Sequence, residues 1–60
     1  MNAESREMLR VKLEAVSAMS KSLAMDLNAG MVMGSELRDR FGAIQREVIS
    51  AWGEIQDGRR

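Results

Sequence analysis

Side chains suited to acid–base or nucleophilic chemistry are scarce in this sequence. Its 60 residues include no His and no Cys, so the commonest general base, the thiol nucleophile and the usual zinc ligands are all missing. Among the carboxylates that stand three positions apart are Glu4 with Glu7 and Glu36 with Asp39. Each pair falls in the first turn of a predicted helix, where the helix dipole favours acids for structural reasons. We therefore predict no enzyme activity, no metal site and no cofactor.

Charge along the chain is balanced. Nine Lys or Arg residues oppose nine Asp or Glu residues, with the two signs interleaved. A nucleic-acid-binding domain usually carries clustered excess cation, so nucleic acid is the less expected partner. No unbroken apolar run is long enough for a membrane span or a signal sequence. These features favour a cytoplasmic protein without membrane association.

Apolar residues recur at the three- and four-residue spacing of amphipathic helices in two segments. We predict one domain over residues 1–60, with a helix from about 3 to 29, a turn over 30–34 and a helix over about 35–57. Because the turn is short, the helices must be antiparallel neighbours. The predicted fold class is therefore all-α, an antiparallel hairpin of two long helices. No internal repeat is evident.

Capping residues mark the predicted helix ends. Asn2 and Ser35 are suited to accept hydrogen bonds from the free amides at the two N-termini. Gly30 can adopt the left-handed backbone that ends a helix, and Gly58 marks the end of the second helix. These residues set the predicted boundaries of the hairpin.

The turn segment 30–34 reads Gly-Met-Val-Met-Gly. It lacks the Lys-Ser/Thr pair that completes a phosphate-binding loop. We expect Met31 to fold back on Met25, so that the methionines of the turn fill the end of the hairpin. The alternative is that Met31 and Met33 form an adaptable contact surface.

Two helices cannot cover all of the apolar surface that this sequence carries, and a lone core is marginal in a chain of this size. Two hairpins placed face to face would bury it in a four-helix bundle. We therefore predict a four-helix-bundle-type homodimer or a higher oligomer. The predicted oligomer core consists of Leu9, Leu13, Val16, Met19, Leu23, Leu27, Leu37, Phe41, Ile44, Val48 and Ile55.

Two charged residues interrupt the apolar face of the first helix. Lys12 has apolar neighbours at helical spacing, so its stem should lie on apolar surface while the ammonium reaches water or an acid across an interface. The alternative is that Lys12 anchors an anionic ligand. Asp26 lies near the helix C-terminus, where the dipole disfavours an acid. We expect it to pair with a basic residue, with Arg38 or Arg40 of another subunit as candidates.

A second stripe on the second helix consists of Gly42, Arg46, Ile49 and Gly53. A glycine inside a helix costs about 1 kcal/mol relative to Ala, so two on one face indicate close approach of a neighbouring subunit or a recognition surface. Trp52 beside it suits either a binding hot spot or core packing. The candidate partner- or ligand-binding residues are Lys12, Arg38, Arg40, Phe41, Gly42, Gln45, Arg46, Ile49, Trp52 and Gly53.

Three functions fit these observations. The first is a self-associating binding protein, a small accessory factor of the phage or mobile-element type, that inhibits or scaffolds a larger protein. The second is an oligomeric sponge for a small anionic, nucleotide-like ligand, with basic residues supplying charge and Phe41 or Trp52 stacking on a base. The third is nucleic-acid binding by one face of a dimer.

In architecture alone, the predicted assembly resembles two kinds of small protein. One is the plasmid copy-number protein Rop, a dimer of helical hairpins that binds paired RNA. The other is the group of phage-encoded helical sponges that sequester cyclic nucleotides of host immune signalling. The resemblance implies the second and third functions by analogy of fold.

Overall fold

Two α-helices joined by a short turn form the protein in a computed structural model, which describes the backbone of residues 2–57 and the side chains of residues 2–56. Helix α1 spans Ala3–Asn28 and helix α2 spans Gly34–Asp57. The two helices pack against each other, so the predicted all-α hairpin is confirmed. The predicted stop at Gly58 lies outside the described residues.

Helix α1 begins at the cap that the sequence predicts. The side-chain oxygen of Asn2, whose backbone is extended, accepts a hydrogen bond from the backbone N–H of Ser5 at 2.7 Å. The carbonyl oxygen of Asn2 accepts from the N–H of Arg6 at 3.0 Å. Glu4 lies in the first turn, where its negative charge interacts favourably with the positive end of the helix dipole. Local residue types therefore account for this end of the hairpin.

The C-terminal end of α1 is a two-bond reverse turn around Gly30. The N–H of Gly30 donates to the carbonyl of Leu27 at 3.1 Å, and the N–H of Met31 donates to the carbonyl of Asp26 at 2.8 Å. This is the Schellman pattern, which needs a residue in the left-handed region. Gly30 supplies it with a φ of +70°, as the sequence predicts.

Helix α2 begins one residue earlier than predicted. Its first residue is Gly34, with a φ of +60°, so Ser35 lies inside the first turn instead of before it. Gly34, the last residue of the predicted turn, provides the change in chain direction at the start of α2. Between the glycines, Val32 is buried with 3% of its surface exposed, and this valine closes the end of the hairpin.

The least exposed apolar side chains of the two helices recur every seven residues. In the part of the chain that the structure describes, only Leu23, Val32 and Ala51 are buried apolar residues. Half-buried residues continue the same heptad spacing along both helices. The residues in this contact layer are Leu9, Val16, Leu23, Leu37, Ile44 and Ala51. A seven-residue spacing is that of helices packed at a shallow angle.

The hairpin is a thin rod and not a compact globule. It measures 44 × 16 × 9 Å, with a radius of gyration of 13.9 Å, against about 10 Å for a compact chain of this length. Its accessible surface is 4728 Å², whereas a compact protein of its mass exposes about 3,900 Å². The single chain thus leaves about 800 Å² more surface in water than its mass requires.

Candidate interaction surfaces

Lys12 joins the two helices through a polar contact. Its ammonium donates to the hydroxyl of Ser50 at 2.7 Å and to a carboxylate oxygen of Glu54 at 3.1 Å. The side chains of Lys12 and Glu54 are 20% and 22% exposed, so most of each stem is covered by the partner helix. The predicted acid partner of Lys12 is therefore Glu54 of the same chain. The ammonium that we considered as a ligand anchor already has two partners.

Arg40 makes the equivalent contact at the other end of the hairpin. Its guanidinium donates to a carboxylate oxygen of Asp26 at 2.6 Å and to the hydroxyl of Ser22 at 3.0 Å. We expected Asp26 to pair with another subunit, but the antiparallel register brings Arg40 of the same chain to it. The second proposed partner, Arg38, lies on the exposed surface of α2.

The two contacts are related by a spacing of 28 residues. Lys12, Ser22 and Asp26 of α1 correspond to Arg40, Ser50 and Glu54 of α2. Apolar residues correspond in the same way: Leu9 to Leu37, Leu13 to Phe41, Val16 to Ile44 and Leu27 to Ile55. The hairpin therefore has an approximate two-fold axis between its helices. Because 28 residues is four heptads, this correspondence is one of residue class more than of residue identity.

We call the side of the hairpin that carries these contacts the clamped face. It comprises Lys12, Ser22, Asp26, Arg40, Ser50 and Glu54. A groove between the helices on this side is lined by Ala18, Met19, Ser22, Arg40 and Ala43. Apart from Met19, small and polar side chains therefore fill the clamped face, and hydrogen bonds within the chain cross it.

We call the opposite side the open face. It comprises Leu13, Ser20 and Leu27 of α1 with Phe41, Val48 and Ile55 of α2. An α-helix turns by about 100° per residue, so these positions and the clamp positions flank the contact layer on opposite sides. Four of the large apolar side chains are half exposed: Leu13 by 52%, Leu27 by 46%, Phe41 by 53% and Val48 by 48%. All of these positions belong to the predicted oligomer core, and the hairpin alone leaves them in water.

The glycine stripe of α2 lies on the outer side of that helix. Ile49 is 69% exposed there, and a Cβ added to Gly53 would meet no atom within 4 Å. A Cβ on Gly42 would meet only the guanidinium of Arg46, at 3.7 Å. Neither glycine is therefore required by packing within the hairpin. Gln45 and Trp52 lie between this stripe and the open face, both exposed.

The methionines of the turn do not fill the end of the hairpin. Met31 is 74% exposed and Met33 is 77% exposed, and Met25 is exposed as well. The expected packing of Met31 on Met25 is wrong, since Val32 is the buried residue between the two glycines. The alternative interpretation, a methionine contact surface, fits the exposure of both side chains.

Arg10 joins two acids on the outer surface of α1. Its guanidinium pairs with Glu7 and donates to Glu14 at 2.7 Å. The hydrogen bond from Arg10 lowers the pKa of Glu7 below its ordinary value, and the bonds to Glu7 and Glu14 raise the pKa of Arg10. All three groups are well exposed, so this cluster is a solvated helix surface that adds little stability.

Over residues 2–57, no three acidic residues come together in a group that could hold a metal ion. Within the same range neither helix is long and apolar enough to cross a membrane. Comparisons of the chain with protein families, with curated proteins and with solved structures found no match. The function is therefore inferred from the geometry of the two faces.

Proposed function

We propose that the protein is a non-catalytic, self-associating binding protein whose hairpins pair through the open face to form a four-helix bundle. One observation carries this proposal. Half-exposed apolar residues follow the heptad spacing of the contact layer on both helices, at Phe41 and Val48 of α2 and, with Ser20 between them, at Leu13 and Leu27 of α1. In a four-helix bundle each helix uses two such rows, one toward its hairpin partner and one toward the second hairpin.

The dimensions of the open face suit a stable dimer. A face of 44 by 16 Å has a footprint of about 700 Å² per copy, or about 1,400 Å² for two copies. Stable interfaces bury about 1,200–2,000 Å² in total. The surplus surface of about 800 Å² per chain, relative to a compact protein, has a similar size. Pairing of two copies would therefore remove about the surface that the rod leaves exposed.

The assembled bundle would act by binding a larger protein and inhibiting or scaffolding it. The outer side of α2 stays accessible when the open face is covered, and it presents Ile49 beside Arg46 and two glycines. A sponge for an anionic ligand has less support, because an acid and a serine already hold each of Lys12 and Arg40. A balanced net charge gives nucleic-acid binding no support either.

Sedimentation of the purified chain over a wide concentration range tests self-association. We expect a dimer or larger even-numbered species for the wild type, and dissociation with loss of helix for Phe41→Glu, which places a charge in the open face that pairing would bury. The matched control is Ile49→Glu, an exposed apolar residue of the same helix on its outer side, which should keep the wild-type mass. A monomeric wild type with full helix content would refute the proposal.

A further inference from the structure

On the open face, the side chains of α2 project further from the hairpin than those of α1. This difference bears on how two copies would meet. We propose that the hairpins pair about a two-fold axis parallel to the helices, so that α1 of each copy packs on α2 of the other and both turns lie at the same end. This inference rests on the proposed self-association through the open face. It adds to that proposal which helices meet and in which direction.

Between residues 17 and 24 of α1 the edge of the open face is formed by small side chains. Ser17, Ser20 and Ala24 stand where the 28-residue correspondence places Gln45, Val48 and Trp52 on α2. The α2 edge is therefore high and the α1 edge is low. Trp52 is 52% exposed, so its indole projects from the hairpin instead of packing within it.

Two depressions follow the low edge of α1. The first, of about 470 Å³, is lined by Leu9, Leu13 and Ser17 and by the charged residues Arg6, Arg10 and Glu14. The second, of about 510 Å³, is lined on α1 by Ser20, Leu23, Ala24 and Leu27 and continues to Phe41 on α2. Both have mainly apolar walls. Each is therefore suited to receive a large apolar side chain.

The clamps fix which residues of α1 and α2 lie at the same height along the rod. Lys12 is level with Ser50 and Glu54, and Arg40 is level with Ser22 and Asp26. Interpolation between these contacts places the first depression level with residues 47–55 and the second level with residues 37–44. Trp52 falls within the first of these ranges and Phe41 within the second.

A two-fold axis parallel to the helices keeps each residue at its height and exchanges the positions of α1 and α2. Trp52 of one copy then meets the depression at Leu13 of the other, and Phe41 meets the depression at Ala24. Trp52 and Phe41 of each copy therefore enter depressions on α1 of the other copy, and the two-fold axis makes each contact occur twice in the dimer. Such exchange of the same patch between two copies is what a closed two-fold interface requires.

An axis perpendicular to the helices would pair like with like. The small residues Ser17 and Ser20 would then face the same small residues of the second copy, and a gap would remain along α1. On the other side Phe41 and Trp52 would meet at equal height, where both project. Close packing without voids is the rule for protein interiors, so the parallel axis is favoured.

Cysteines placed at the two ends of the rod test the direction of pairing, because the chain has no Cys of its own. Met33→Cys marks the turn and Ala3→Cys marks the opposite end; both positions are exposed. Spin labels on Met33→Cys should lie within about 20 Å of each other across a bundle whose neighbouring axes are 8–10 Å apart. A perpendicular axis would separate them by about 40 Å, the length of α1.

A mixture of the two variants is the matched control. Under oxidising conditions Met33→Cys should cross-link to itself and Ala3→Cys to itself, whereas mixed cross-links between them should not form. A dimer that forms mostly mixed cross-links, or separates the turn labels by the length of the rod, overturns this inference and leaves self-association intact. A chain that stays monomeric overturns both. The emission of Trp52, the sole tryptophan, reports self-association. It should shift to the red when the dimer dissociates.

Discussion

The two faces of the hairpin use the same heptad framework in opposite ways. On the clamped face, the cations of Lys12 and Arg40 find their acids and hydroxyls within the chain. On the open face, side chains such as Leu27 and Phe41 have apolar partners on one side only. Polar side chains therefore pair within the hairpin and match its register, while the apolar side chains left over from its core would direct the proposed assembly.

The clamps have a specific part in that division. A heptad layer of aliphatic residues would tolerate a slip of one helix by seven positions, since apolar residues would still meet apolar residues. Lys12 with Glu54 and Arg40 with Asp26 occur once each, so the same slip would separate both pairs. Partly buried polar pairs of this kind are weak sources of stability, and their best-attested use is to specify register.

The largest expected effect comes from comparing Leu27→Ala with Leu23→Ala. Leu23 is buried within the hairpin and Leu27 is half exposed. If the open face is covered in the assembly, both substitutions should lower the free energy of unfolding by about 2–5 kcal/mol, the range for leucines in cores. Urea unfolding followed by circular dichroism, at one protein concentration, measures both.

A small effect of Leu27→Ala on the free energy of unfolding would contradict the proposal that the open face is covered. A leucine that stays in water contributes little, and surface substitutions usually change stability by less than about 0.5 kcal/mol. A result in that range, with a large effect for Leu23→Ala, would mean that the open face remains solvated.

An intermediate effect is expected on the clamped face. Glu54→Ala leaves the ammonium of Lys12 with Ser50 alone and should lower the free energy of unfolding by about 1–2 kcal/mol. The double variant Lys12→Met, Glu54→Leu removes both charges and should return close to wild-type stability. A double-mutant cycle measures the coupling. Its control is Glu14→Ala, which removes an exposed helix pair with Arg10 and should cost less than about 0.5 kcal/mol.

The smallest change in stability is expected for Gly53 on the outer side of α2, which belongs to neither face. Gly53→Ala should raise the free energy of unfolding by up to about 1 kcal/mol, because an added Cβ meets no atom within 4 Å. Gly30→Ala should lower it by about 1–2 kcal/mol, since its φ is +70°. Thermal unfolding compares the two variants. Destabilisation by Gly53→Ala would show that another chain covers the outer side of α2.

The sequence was sufficient for features that depend on neighbouring residues. The helical spacing, the Asn2 cap and the left-handed Gly30 follow from local physical preferences, so the hairpin could be predicted. Partners across the hairpin could not, because the contact of Lys12 with Ser50 and Glu54 depends on the register and rotation of two helices. The same limit led us to assign Asp26 to another subunit.

Two other features needed the three-dimensional structure for a different reason. Both rows of apolar heptad residues look alike in sequence, so Leu13 and Leu23 could not be sorted into open and buried positions. In the turn, methionine and valine are both apolar, and only the backbone direction shows that Val32 points inward while Met31 points out. The 28-residue correspondence was present in the sequence, but it links similar residues more than identical ones.

That correspondence has a consequence for the turn itself. Helix α1 carries both halves of a clamp, a cation at Lys12 and its acceptors at Ser22 and Asp26, so two separate copies of α1 lying antiparallel could form both clamps reciprocally. The turn would then contribute proximity more than contacts: it holds the second helix at an effective concentration in the millimolar range. A chain cut between Gly30 and Gly34 would lose that advantage on dilution and regain its pairing when concentrated.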